Sequence, residues 1–248
     1  AKVLIKFRKL IKIKKVFYME KCSEFIHTVS KISKNSRNDE NGRFHSWEHC
    51  YKNFYKARNE KNPDVDYLSL HLSFYLASWG MYRGSSFLLE KDYRVHIPAV
   101  NKIMCHKYDV LSGTDYKVLL DEDNQALLCE LSEELEEYYK GIRSQVKGVN
   151  IKNPVSKTLI TKILMGTLGC VPAYDEYFIK GIVKEKVAKG TYNKESIKAL
   201  ASFYERYNEK LDAERCNWRV EDIEYPQMKL LDMGFWQMGV DMKGTKEE

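Results

Sequence analysis

An all-α fold is the class this sequence predicts, and three observations predict it. Apolar residues recur three and four positions apart through most of the chain. No stretch alternates with period two for long, and only 5 Pro and 13 Gly interrupt the 248 residues. That length suffices for one large or two small domains with a sizeable core. With 44% apolar and 31% charged residues, the composition is that of a globular chain and not of a disordered or collagen-like one. No apolar run approaches the ~18–20 residues of a membrane span, and no secretory signal opens the sequence. The six cysteines (Cys22, Cys50, Cys105, Cys129, Cys170 and Cys216) are scattered, with no Cys-x-x-Cys. Reduced thiols in a cytoplasmic protein without a metal or redox cofactor are therefore expected.

The elements follow in order. From Val16 to Ile32, the residues Phe17, Phe25, Ile26, Val29 and Ile32 keep helical spacing. Asn35–Gly42 is polar and reads as a loop. Trp47, Tyr51, Phe54 and Tyr55 give the next helix an aromatic face that ends near Asn62-Pro63. Asp66 is the expected N-cap of a helix over Tyr67–Trp79, apolar on most sides and so expected in the core. Val95–Ile103 and Asp121–Lys140 are further helices, the latter with Leu127, Leu131, Leu135 and Tyr138 on one face. Five of its acids fall among Glu130–Glu137 and mark its solvated side. The Gly-, Asn- and Lys-rich stretch Lys140–Pro154 is the expected boundary between two lobes. Helices over Val155–Leu168, Tyr174–Val187 and Lys194–Asp212 follow, then a Met- and aromatic-rich core helix over Gln227–Gly239. The expected whole is about eight to ten helices in two lobes with a cleft between them. The segments are a basic stretch (1–18) and two helical lobes (19–145 and 146–248).

The net charge of +6 is local. Residues 2–21 hold eight basic side chains against one acid, Glu20, so the remaining chain sums to −1. A basic amphipathic segment of this kind suits phosphates, an acidic membrane surface or an acidic partner. The rest of the chain argues neither for nor against nucleic acid.

The segment Ser156–Phe178 reads SKTLITKILMGTLGCVPAYDEYF. A Lys-Thr pair opens an apolar helix, Gly and Pro interrupt it, and Asp175 begins the next helix. Over roughly residues 148–183 this pattern resembles the helix–hairpin–helix DNA glycosylases, whose Lys-Thr-Ala helix precedes a Gly/Pro loop and an aspartate. The resemblance implies a flipped base excised by Asp175 and Lys157, which lie at the family's separation, with DNA as partner. It implies an aspartate kept anionic by a helix dipole and a lysine whose burial frees its amine. Lys162 offers a second register for that amine. The family's hairpin glycines, which admit a DNA phosphate, have no counterpart in Asn153-Pro154-Val155-Ser156.

Two other constellations bear on function. Ser78–Ser86 follows an apolar helix and carries Trp79, Tyr82 and Arg83 between two glycines. Trp79 and Tyr82 are candidates to stack on a base and Arg83 to pair with a phosphate or carboxylate, lining any pocket opposite Asp175. Asp232, Trp236 and Gln237 of the last helix offer similar chemistry, with Arg83 as a candidate partner for Asp232. The third constellation, His45-Ser46-Trp47-Glu48-His49, matches the His-x-x-Glu-His pattern of inverted zincins. A DNA glycosylase-like enzyme is thus the leading expectation. A non-catalytic helical module for nucleic acid or protein is the alternative, and a zinc hydrolase at His45, Glu48 and His49 the third.

Overall fold

A computed structural model of the chain describes residues 22–32, 39–148 and 154–244. The basic segment 1–18, part of the 35–42 loop and residues 149–153 of the 140–155 boundary, including Asn153, lie outside the described residues. The fold is all-α. Helix α1 covers 22–32, α2 His45–Ala57, α3 Val65–Ser78 and α4 Ile97–Ile103. Helix α5 covers Tyr116–Leu120, α6 Glu122–Lys147, α7 Lys157–Thr167 and α8 Glu176–Lys184. Helix α9 covers Lys194–Arg215 and α10 Gln227–Gly244. Between α9 and α10 a two-residue antiparallel pair, β1 (Arg219–Val220) and β2 (Ile223–Glu224), turns the chain back. No helix among the described residues is long and apolar enough to cross a membrane.

Caps set the helix starts. The carboxylate of Asp64, and not that of Asp66, accepts from the Tyr67 N–H and starts α3. Asp66 lies in the first turn, where it accepts from the Tyr93 hydroxyl and pairs with Arg94. Asp121, Asn193 and Asp175 cap α6, α9 and α8 in the same way.

The core runs continuously through elements from both sides of the 140–155 stretch, from Phe25 of α1 to Met238 of α10. The buried stripe of α6 is Leu128, Leu131, Leu135 and Tyr139, so the face lies a little off the one expected, and Leu127 and Tyr138 flank it. Helix α3 is not buried all round. Leu68, Leu72, Tyr75 and Leu76 face the core, while Tyr67, Leu70 and Phe74 stand outward, Phe74 at 58% exposure. Helix α10 is the central element, with Met228, Leu230, Leu231 and Phe235 buried. It crosses α8 at glycines. A Cβ on Gly181 would strike the Phe235 carbonyl, and one on Gly239 would strike the Tyr177 carbonyl. Only two backbones free of side chains at the crossing can approach this closely.

Candidate functional site

Helix α7 is buried from Leu159 to Thr167 without a break. A lysine inside such a run must bury its amine. Lys162 does so, at 6% side-chain exposure. Its Nζ donates to the Trp79 carbonyl at 2.9 Å and lies 3.7 Å from Asp175 Oδ2. Lys157 is five residues earlier, roughly 140° around the helix. That rotation carries it to solvent, where it pairs with Glu136 of α6. Lys157 is therefore not beside Asp175; the second register, Lys162, is.

Asp175 both caps α8 and faces the site. Its Oδ1 accepts from the Phe178 N–H at 3.1 Å, leaving Oδ2 toward Lys162. The loop before it is held from two sides. Thr161 Oγ1 accepts from the Tyr174 N–H and Thr158 Oγ1 donates to the Tyr174 carbonyl. From α10, Asp232 Oδ1 accepts from the Ala173 N–H at 2.9 Å, and Asp232 Oδ2 takes Lys229 Nζ at 3.0 Å. The buried partner of Asp232 is thus Lys229, one turn away, and not Arg83.

A small pocket opens onto these groups. Lys162, Asp175, Lys229 and Asp232 form its polar floor, and Phe44, Tyr75, Trp79 and Trp236 its walls. Trp79 and Trp236 meet edge to face, centroids 5.9 Å apart at 84°. Phe44 packs edge-on against both. Arg43 lies over the Trp79 ring at 4.8 Å, and the Lys229 ammonium over Trp47 at the same distance. Trp47 is anchored by its own Nε1–H, which donates to the Met165 carbonyl of α7.

Burial acts on both members of the Lys162–Asp175 pair. It lowers the Lys162 pKa from its ordinary value, against the opposing pull of Asp175 and Asp232, with nearby Arg83 adding to the lowering. It raises that of Asp175, against the pull of Lys162 and of the Phe178 N–H. Each group is pushed toward its neutral form, and their mutual attraction holds the charges in place. The site thus sets a buried lysine beside a carboxylate fixed at a helix start, among aromatic side chains.

The structure places the predicted residues unequally. Asp175, Trp79 and Trp236 line one pocket. Tyr82 and Arg83 do not line it. After Trp79 the chain turns at Gly80, whose φ of +77° suits glycine, and leads both side chains away. The Tyr82 hydroxyl accepts from Ser73 and bonds His96 Nε2. Arg83 is exposed, and its guanidinium folds back over Gly80. Gln237 bonds Asp241 at the surface. Lys229, Phe44 and Tyr75 were not anticipated. For Lys229 a signal existed: a lysine three residues before an aspartate in a Met- and Leu-rich helix needs a buried partner.

The His45–Glu48–His49 motif does not gather a metal set. Glu48 accepts from the Tyr225 hydroxyl and bonds His45 Nδ1 at 2.6 Å, while His49 lies on the exposed face. Among the described residues no three His, Cys, Asp or Glu side chains converge to hold a metal. Comparison with protein-family models, with curated proteins and with solved structures finds no match to this chain.

Proposed function

We propose that this protein excises a base from nucleic acid in the manner of a helix–hairpin–helix DNA glycosylase, with Asp175 and Lys162 as its reacting pair. The observation that carries the reading is the buried Lys162–Asp175 pair, 3.7 Å apart, on the floor of an aromatic-walled pocket. An extrahelical base needs such walls, since stacking on Trp79 and Trp236 replaces the stacking lost from the helix. As the C1′–N bond breaks, its electron pair leaves with the base and positive charge grows on the sugar. The Asp175 carboxylate stabilises that charge. The Lys162 amine, having given up its proton, adds to C1′ and releases another; the C1′–O4′ bond then breaks as O4′ takes up a proton, and the ring-opened sugar is left as an imine on Lys162 that borohydride reduces to a stable adduct.

The reading transfers the lysine role from Lys157 to Lys162 and leaves the aspartate where the resemblance put it. Oligonucleotides carrying a panel of modified bases test it. Asp175→Asn keeps the cap, because asparagine caps nearly as well as aspartate, and removes the charge. Excision is expected to fall by roughly 10²-fold or more with the fold intact. Lys162→Gln should abolish the borohydride-trapped adduct and Lys157→Gln should retain it. An Asp175→Asn protein that excises at the wild-type rate ends the assignment.

A further inference from the structure

A second, roomier pocket adjoins the first. The two share Ile32, Phe44, Lys229 and Met233 as common wall, so a ligand reaching across Lys229 occupies both. Their chemistry differs. Among the described residues, three basic groups, His45, Arg219 and Lys229, and a single carboxylate, Glu48, face the second chamber. Both oxygens of that carboxylate are already engaged, by His45 and by the Tyr225 hydroxyl.

The donors, by contrast, have capacity to spare. Arg219 uses its Nη2 on Glu224, which is not part of the chamber wall. A guanidinium carries five N–H donors, so among the described residues most of its fork remains for a ligand. Lys229 gives one N–H to Asp232, which faces the other chamber, and an ammonium has three. A wall with surplus cationic donors and a fully engaged acceptor is complementary to an anion with several acceptor oxygens.

We infer that the second chamber holds a phosphate group attached to the ligand whose ring lies in the aromatic pocket, bound by Arg219 and Lys229. The inference rests on the base-pocket reading and adds to it where the phosphate goes. It also supplies what the Asn153–Ser156 stretch lacks. With no glycines there to admit a phosphate to backbone amides, the chain needs side-chain donors elsewhere, and this chamber carries them beside the ring pocket.

Titration of the full chain, followed by tryptophan fluorescence, tests the assignment. The probes are thymidine and adenosine, their 5′-monophosphates and a single-stranded thymidine dodecamer. The monophosphates are expected to bind about tenfold tighter than the nucleosides, the gain of one charge-assisted contact. Arg219→Met should erase that difference, while Arg219→Lys should keep part of it by retaining the charge. Arg219 is exposed on a two-residue strand, and circular dichroism checks that both variants keep the helical fold. If the dodecamer shows the same dependence on Arg219, the phosphate is that of a nucleic-acid backbone; if only the monophosphates do, it is that of a free nucleotide. Equal binding of nucleosides and monophosphates overturns the phosphate site and leaves the ring pocket standing. Failure of every probe to bind overturns both.

Discussion

A five-residue shift decides the chemistry of this pocket. Lys157 and Lys162 share a helix and a side-chain type, yet one sits at 49% side-chain exposure beside Glu136 and the other at 6% beside Asp175. Exposed, a lysine pairs loosely with its neighbour. Buried, its charge is disfavoured, and the amine becomes available at lower pH. The Nζ resonance of Lys162, followed by NMR, should therefore titrate below the ordinary lysine value of 10.5. In Asp175→Asn the midpoint should move lower still, because the carboxylate that favours the ammonium has gone. Titration at or above 10.5 in the wild type would remove the physical basis for an amine nucleophile. The sign for stability is the same: a lysine whose folded pKa is lowered makes the fold more stable as pH rises through that window.

At the scale of elements, the site depends on where α10 lies. Helix α10 carries Lys229, Asp232 and Trp236 into the pocket, and its position is set by the crossing with α8 at Gly181 and Gly239. Asp175 starts α8, so the same crossing fixes the distance between the two aspartates. Gly181→Ala or Gly239→Ala forces a methyl group against a backbone carbonyl, which cannot rotate away as a side chain can. Either change should cost about 1–3 kcal/mol in urea denaturation. It should also alter the emission of Trp236, which packs against Tyr177 beside the crossing. A variant with unchanged stability and emission would show that the helices separate freely and that the crossing does not position the site.

For the molecule as a whole, acid stability should be governed in part by a group outside the pocket lining. His96 is fully buried, its ring bonded to the Tyr82 hydroxyl at 2.7 Å and the Tyr139 hydroxyl at 2.6 Å. In the neutral imidazole one ring nitrogen donates and the other accepts, so the two hydroxyls satisfy both. Burial lowers the imidazole pKa from 6.5 to about 3. The unfolded chain takes up the proton first, so stability is lost as pH falls from 6.5 toward about 3. The loss attributable to this group is on the order of 4 kcal/mol at the acid end. Urea midpoints measured from pH 7 to pH 4 should show it, and His96→Gln should flatten the slope even if it lowers the plateau. A variant with the wild-type slope would assign the acid sensitivity to other groups.

Helical periodicity and the scarcity of Pro and Gly determined the fold class, because a 3.6-residue repeat of apolar side chains has few other ways to be buried. The sequence also determined Asp175 as a helix start, since the preceding Pro and the cap chemistry act over four or five residues. Those forces are local, and local patterns report them. Tertiary structure alone decided that Lys162 and not Lys157 meets Asp175, that Asp232 pairs with Lys229, and that Tyr82 and Arg83 turn away after Gly80. It also decided that α3 leaves Tyr67, Leu70 and Phe74 outward, for an apolar side is buried only where another element covers it. The physical reason is common to all four. Which partner a charged or apolar group finds depends on elements tens of residues away, whose packing carries free energies larger than any local preference.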